Sequence, residues 1–221
     1  RTMIEYTGFE LTFDRARDEP YLEMANAPRA KRLANLVENF IATEFQNQVY
    51  NSVGTPGTTP ATFLALGNAQ TRLDDEAVPS DSRVGILNPA ANWALADGLK
   101  GTFAANVAKD LITKGFLGQI ANLALYTDQN VVRHTTGHFT SGATPLKDGA
   151  SVDGATTIVT KGWGGSNTVL KGDGFTIAGV YAVNPMSGAS TGVLRQFVAT
   201  ANAADDGAAM TISISPTIRF T

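Results

Sequence analysis

The sequence predicts an α+β protein with helices in its first half and a small all-β region at its C-terminal end. Two observations predict this class. Between Pro28 and Ser52, apolar residues recur at three- and four-residue steps, which is the spacing of a long amphipathic helix. Residues 141–221 hold more than half of the chain's 22 glycines, and short runs rich in Thr, Val and Ile alternate there with turn signals.

The bulk composition narrows the class of protein. The chain has 221 residues, of which 43% are hydrophobic and 17% charged, as in an ordinary globular protein. A net charge of -3 argues against a dedicated nucleic-acid binder, because neutralising phosphates requires concentrated Lys and Arg. With no cysteine, the chain can form no disulfide, thiolate metal site or Cys nucleophile. No apolar run approaches the roughly 20 residues that span a bilayer.

The N-terminal part predicts a strand followed by a long helix. Phe9–Phe13 alternates apolar and polar residues, so it is expected to be a strand with one buried face. Acidic residues and a Pro between Asp14 and Pro20 favour a helix start. Pro28 is expected to kink or restart this helix, which then runs to about Ser52 and spans about 35 Å.

The middle of the chain predicts short helices and strands. Thr59 and Pro60 form a cap and first turn for a second helix, which ends before Pro79. Arg83–Leu87 is expected to be a buried strand, and Asn88 then begins a helix that closes at Gly98. Further elements are expected as a helix over 103–114 and strands over 116–126 and 130–134.

The C-terminal segment predicts a small all-β module. Turn signals at Lys171–Gly174 and Asp205–Gly207 separate some of its strands. The five expected strands are Thr156–Thr160, Thr168–Leu170, Phe175–Val183, Arg195–Ala199 and Ala209–Ile214.

The two histidines are the first candidate site. His134 and His138 have the four-residue spacing that chelates a metal on a helix. However, the intervening Thr135, Thr136 and Gly137 predict a strand end or loop, where this spacing does not bring the rings together. No nearby carboxylate cluster supplies a third ligand. We therefore expect solvated or backbone-bonded histidines and no metal site.

Other motifs have a structural explanation as well as a chemical one. Gly172–Gly179 faintly resembles a phosphate loop, but the strand expected after it favours a β-turn, and Gly162–Gly165 is interpreted as a loop with an anchoring Trp163. Asp74–Glu76 is interpreted as a solvated face instead of an acid–base site. No Gly-x-Ser-x-Gly elbow is present. The basic concentration, for which we favour ion pairing over nucleic-acid binding, comprises Arg15, Arg17, Arg29, Lys31 and Arg32.

Several stretches, in order along nearly the whole chain, resemble the coat proteins of short-tailed Salmonella-type bacteriophages and related prophages. The most specific stretch is Gly174–Pro185, which is similar to the inserted β-domain of that family. The other matching stretches are Phe9–Arg15 running into Arg29–Val53, Arg83–Trp93, Gly115–Ile120, Tyr126–Asn130, Gln196–Val198 and Ile212–Pro216.

The resemblance implies the Hong Kong 97-type capsid fold, with a spine helix, peripheral and axial domains and a C-terminal all-β inserted domain. Residues 1–13 would be the end of the extended-loop strand, and residues 14–53 the peripheral domain with its spine helix. Residues 54–140 would be a segment of the axial domain, and residues 141–221 the inserted β-domain. The family also has an N-terminal arm and a closing C-terminal segment, so the chain is expected to be truncated at both ends.

The implied function is that of a major capsid protein, a structural subunit of the icosahedral shell around phage DNA. Its partners would be copies of itself in hexamers and pentamers, a scaffolding protein and a portal protein, with only non-specific DNA contact and no membrane. It would assemble in the host cytoplasm and reside in the virion. We expect no enzyme activity, cofactor, metal or catalytic residue. The alternatives are a β-rich binding or adhesion module with a helical stalk, and a hydrolase with an unrecognised site.

Overall fold

A computed structural model describes residues 19–99, 118–120, 122–140, 143–207 and 209–219, with side chains from residue 26 onward. Within these residues there are three α-helices and ten strands, so the predicted α+β class is confirmed. The chain divides into two compact units, residues 1–41 and 42–221. The expected strand Phe9–Phe13 and the expected helix over 103–114 lie outside the described residues.

Helix α1 comprises Glu19–Gln46 and continues without a break through Pro28, so the helix does not restart there. The expected end near Ser52 is wrong, because the helix closes with Asn47 N donating to Thr43 O at 3.1 Å. Six residues later the backbone of Ser52 is bonded to the side chain of Gln196 instead of to another helical turn. A tertiary contact therefore overrides the apolar periodicity at this end.

Helix α2 comprises Phe63–Asp75, and its cap is Thr62 instead of the expected Thr59. Thr62 has extended backbone angles, and its Oγ1 accepts a hydrogen bond from Ala65 N. Beyond the other end of the helix, Arg83 is buried and donates to the carbonyl oxygens of Pro79 and Val78. Arg83 thus satisfies carbonyl oxygens of the segment that follows α2.

Strand β1 comprises Val84–Leu87 and is followed by helix α3, Pro89–Leu99. The predicted cap is confirmed, since Asn88 Oδ1 accepts a hydrogen bond from Ala91 N at 2.7 Å. The expectation of a buried strand is wrong for β1. Val84 is 56% exposed, and only the alternate residues Gly85 and Leu87 face inward, because β1 is an edge strand covered on one face.

The sheet that contains β1 has the strand order β1-β3-β2. Strands β2, Gln119–Ile120, and β3, Leu123–Thr127, pair antiparallel, while β1 and β3 pair parallel. Within the range 116–126, where a single strand was expected, the described residues therefore form two strands, and Asn122 between them has a φ of 60°. The expected strand over 130–134 is absent, and those residues are irregular. The helical core consists of Leu66, Leu95, Ala96, Leu99, Ile120, Leu123 and Leu125.

The described residues from 143 onward form an all-β region, which we call the β-module. Its strands are β4 Leu146–Lys147, β5 Thr157–Lys161, β6 Thr168–Val169, β7 Gly174–Val183, β8 Ser190–Ala199, β9 Ala203–Ala204 and β10 Ala209–Ser215. One sheet has the order β4-β5-β10-β8-β7, and a second pairs β6 with β9. All five predicted strands are present, although β8 begins five residues before Arg195. The module core consists of Ile158, Trp163, Val169, Phe197, Ala199, Met210, Ile212, Ile214 and Ile218.

Candidate interaction surface

Helix α1 presents its apolar side chains to solvent. Between Leu33 and Phe45, six large apolar side chains at helical spacing are each 45 to 72% exposed. We call these residues the apolar stripe: Leu33, Leu36, Val37, Phe40, Ile41 and Phe45. A single exposed leucine is ordinary, but a run of six large apolar residues along one helix is typical of an interaction surface.

Three of the basic residues singled out in the sequence lie on the same helix. Lys31 and Arg32 are exposed and Arg29 is partly buried, and all three precede the apolar stripe along the chain. Arg15 and Arg17 lie outside the described residues. Among the described side chains of α1, three cationic residues thus precede the exposed apolar stripe.

His134 and His138 have different environments. His134 Nε2 lies 2.6 Å from Oδ1 of Asp173, a carboxylate that is only 4% exposed. The other oxygen of Asp173 accepts hydrogen bonds from Gly137 N and Leu170 N. His138 forms its hydrogen bonds through its backbone. Its N donates to Thr168 Oγ1, and its O accepts from Thr168 N. His134 therefore differs from the expectation of a solvated or backbone-bonded ring, because the fold brings it to a buried carboxylate 39 residues away.

The described residues contain no group of three or more His, Asp or Glu side chains that could hold a metal ion. A half-open recess of about 270 Å³ lies at the N-terminal end of α3 and is lined in part by Asn88, Arg133 and His134. The Asn88 side chain already caps α3, and the His134 ring already bonds Asp173. Two polar side chains of this recess, Asn88 and His134, thus have structural partners.

The glycine-rich motifs are turns of the β-module. Gly172 has a φ of 98°, and strand β7 follows it at Gly174, where a phosphate loop would require a helix. Trp163 is buried, donates from Nε1 to Thr160 Oγ1 at 2.8 Å and stacks on Phe139. Gly162, Gly164 and Gly165 all have positive φ angles around it. These residues shape loops against the module core.

The acidic run at the end of α2 does not form one site. Asp74 Oδ1 bonds Arg83 at 2.7 Å, whereas Glu76 Oε1 bonds Arg195 at 2.7 Å. The divergence fits the expected splaying of adjacent acids, but the solvated face does not extend to Glu76, whose side chain is only 13% exposed. The partner Arg195 is 119 residues away, and no local sequence signal could have identified it.

Comparisons with known proteins give a distant likeness to solved structures. No protein-family model matches the chain, and no curated protein matches it. Among solved structures, the chain is similar to one from Mycobacterium phage Che8, with 16% identity and a TM-score of 0.44. The alignment covers 91% of this chain and 61% of the phage chain, so the chain spans less than two thirds of that neighbour. A TM-score below 0.5 does not define a shared fold, and the likeness extends no further than a distant phage neighbour.

No helix among the described residues is both long enough and apolar enough to cross a bilayer.

Proposed function

We propose that this chain is part of a major capsid protein of a tailed bacteriophage, which assembles with copies of itself into the icosahedral shell that encloses the phage DNA. Two observations support the proposal. The sequence resembles phage coat proteins, most specifically at Gly174–Pro185. The observation that carries it is the apolar stripe of α1, whose six side chains are exposed among the described residues.

The stripe suits assembly because of its size. Burying a large apolar side chain fully contributes about 1.5 to 3 kcal/mol, so six side chains that are already about half buried offer on the order of 5 kcal/mol before the costs of association. A single contact of this strength is weak. Repeated around rings and across a shell, weak contacts accumulate into a stable assembly, while misplaced subunits still dissociate.

The proposed fold and partners follow from the resemblance of the sequence to phage coat proteins. The subunit adopts the Hong Kong 97-type capsid fold, with α1 as the spine helix and the β-module as the inserted domain. Its partners are copies of itself in hexamers and pentamers, a scaffolding protein during assembly and a portal protein. With a net charge of -3, the shell contains the DNA without gripping it. No chemical step is part of this function.

The two alternatives give different outcomes in solution. A β-rich adhesion module with a helical stalk forms a defined small oligomer and no shells. A hydrolase requires a titratable pair in a pocket, and the described residue that best fits is His134 beside the recess. Loss of a hydrolytic activity on His134→Ala, in a protein that forms no shells, would favour that alternative.

The experiment that tests the proposal compares two exposed apolar positions in the full-length gene product, coexpressed with its scaffolding protein. Phe40→Ser removes the centre of the apolar stripe, where the side chain is 46% exposed, and Ile86→Ser removes an apolar side chain on β1 that is 60% exposed. We expect both variants to fold with unchanged circular dichroism, and shell yield to fall sharply for Phe40→Ser only. Normal shell yield from Phe40→Ser would refute a role of the stripe in assembly.

A further inference from the structure

The unit formed by residues 42–221 contains two separate hydrophobic cores. One core joins α2, α3 and the sheet β1-β3-β2, and it includes Leu66, Leu95 and Leu125. The other lies within the β-module and includes Phe197 and Ile212. The two clusters have no residue in common. Each core can therefore stay packed without the other. The position of the β-module beside α2 then depends on the polar contacts between them.

One of these contacts is a cluster of charged and aromatic side chains. Glu76, just after α2, bonds Arg195 of β8 at 2.7 Å, and Arg72 Nη2 lies 3.9 Å from the same carboxylate oxygen. The guanidinium group of Arg195 stacks 4.9 Å from the centre of the Tyr50 ring. We call Tyr50, Arg72, Glu76 and Arg195 the latch.

Polar bonds flank the latch. The side-chain amide of Gln196 pairs with the backbone of Ser52, accepting from N at 2.8 Å and donating to O at 2.9 Å. Asn184, at the end of β7, donates to the carbonyl oxygen of Asp75. Each of these bonds can be exchanged for a bond to water without uncovering either apolar core.

The latch is not fully satisfied when closed. Arg72 is 7% exposed, and its Nη2 has no hydrogen-bond partner among the described residues. A buried donor without a partner raises the free energy of the closed state, because in water the same group would be hydrated. Opening the latch would let water reach Arg72 Nη2, which offsets part of the loss of the Glu76–Arg195 bond.

We propose that the latch is a releasable ion-pair joint that holds the β-module against α2, and that the β-module swings as a rigid body when the joint opens. The two arginines share one carboxylate, so removal of the Glu76 charge leaves two partly buried cations beside each other and favours the open state. Salt also weakens the joint, because dissolved ions screen the attraction between Glu76 and the two arginines. The inference rests on the fold alone and does not depend on the proposed function.

The absence of cysteine from the chain makes a direct test possible. Spin labels on Asn68→Cys, at an exposed position of α2, and on Val152→Cys, in an exposed loop of the β-module, report the distance between the two cores by pulsed electron paramagnetic resonance. The 221-residue chain is measured with its latch intact, with Glu76→Gln, and with Asp148→Asn as a matched control in an exposed ion pair remote from the latch in sequence.

We expect one narrow distance distribution for the intact latch at low salt and for Asp148→Asn. Glu76→Gln should add a second distance population, while amide exchange of the Phe197 and Leu95 cores stays unchanged. An unchanged distance distribution for Glu76→Gln would overturn the proposal. Faster amide exchange in both cores would also overturn it, because the joint would then be part of one cooperative unit.

A salt titration of the chain with the unmutated latch gives a second, independent test that does not require Glu76→Gln to fold. The second distance population should grow between low salt and about 1 M salt, where the screening length falls to about 3 Å. A single distance population throughout the titration would overturn the proposal. Gln196→Ala, which removes only neutral bonds, should shift the populations less than Glu76→Gln does.

Discussion

His134 and Asp173 form a bond between a loop and a buried turn, with Nε2 of the ring 2.6 Å from Oδ1 of the carboxylate. Asp173 also accepts backbone hydrogen bonds from Gly137 and Leu170, so three donors converge on one side chain that is 4% exposed. This carboxylate fastens the segment before the β-module to the module itself.

Replacing Asp173 with Asn should destabilise the fold by about 2 kcal/mol, because an amide NH₂ would face a backbone donor that the carboxylate now satisfies. Chemical denaturation monitored by circular dichroism measures this loss. Asp153→Asn is the control, since Asp153 faces Arg219 at 3.6 Å in an exposed ion pair, and such pairs contribute about 0 to 1 kcal/mol. Equal losses from the two variants would contradict a structural role for Asp173.

Two helical glycines should respond in opposite directions to replacement by alanine. A Cβ on Gly98 of α3 would lie 1.8 Å from the carbonyl oxygen of Ala61, so Gly98→Ala should cost about 2 kcal/mol by forcing α3 away from that backbone. A Cβ on Gly67 of α2 would meet open space, so Gly67→Ala should stabilise the fold by about 0.5 to 1 kcal/mol. Thermal unfolding of both variants checks the two signs, and stabilisation by Gly98→Ala would refute the close approach.

The sequence predicted the helices and strands better than it predicted which distant residues contact each other. The apolar spacing and the Asn88-Pro89 pair predicted the long helix and the start of α3, because these signals are local. The choice of Thr62 over Thr59 as a cap was not predictable, because both residues suit a helix start.

Contacts between distant residues could not be predicted, because no local sequence signal identifies the partner. Glu76 and Arg195 are 119 residues apart, and only the fold brings them together. The exposure of a surface also could not be predicted from the sequence. The spacing from Leu33 to Phe45 predicted an apolar face, but not that this face lies exposed.

Asp148 should titrate at low pH. A hydrogen bond from Lys161, 2.6 Å away, together with its positive charge, holds the pKa of the Asp148 carboxyl below its ordinary value of 3.8, and desolvation opposes this shift only in part. Since the pKa is lowered in the folded state, the stabilising contribution is present above the unfolded pKa and is lost as the pH falls through the folded one, below about pH 4.

Lys161→Gln should therefore raise the pKa of Asp148 towards 3.8, as measured by NMR titration of the carboxyl carbon. Lys171→Gln is the matched control, because Lys171 bonds Glu44 instead. An Asp148 pKa that does not respond to Lys161→Gln would show that the ion pair does not cause the shift.

Residues 141–221 should fold alone as a β-module, because the core around Phe197 and Ile212 lies wholly within this segment. A fragment of residues 133–221 should be more stable, because it adds the bonds from His134 and Gly137 to Asp173 and from Thr140 to Asn167. Dispersion of the amide NMR signals tests whether the shorter fragment folds. Denaturation midpoints compare the stability of the two fragments. A collapsed amide spectrum for the shorter fragment would refute the independence of the module, and equal midpoints would refute the contribution of the added loop.

The measurement that tests the central proposal most directly is an electron micrograph of the full-length gene product coexpressed with its scaffolding protein. If the exposed stripe from Leu33 to Phe45 serves to join copies of this chain, closed shells of uniform size should fill the field. A full-length protein that stays monomeric in the presence of scaffold would contradict the proposal.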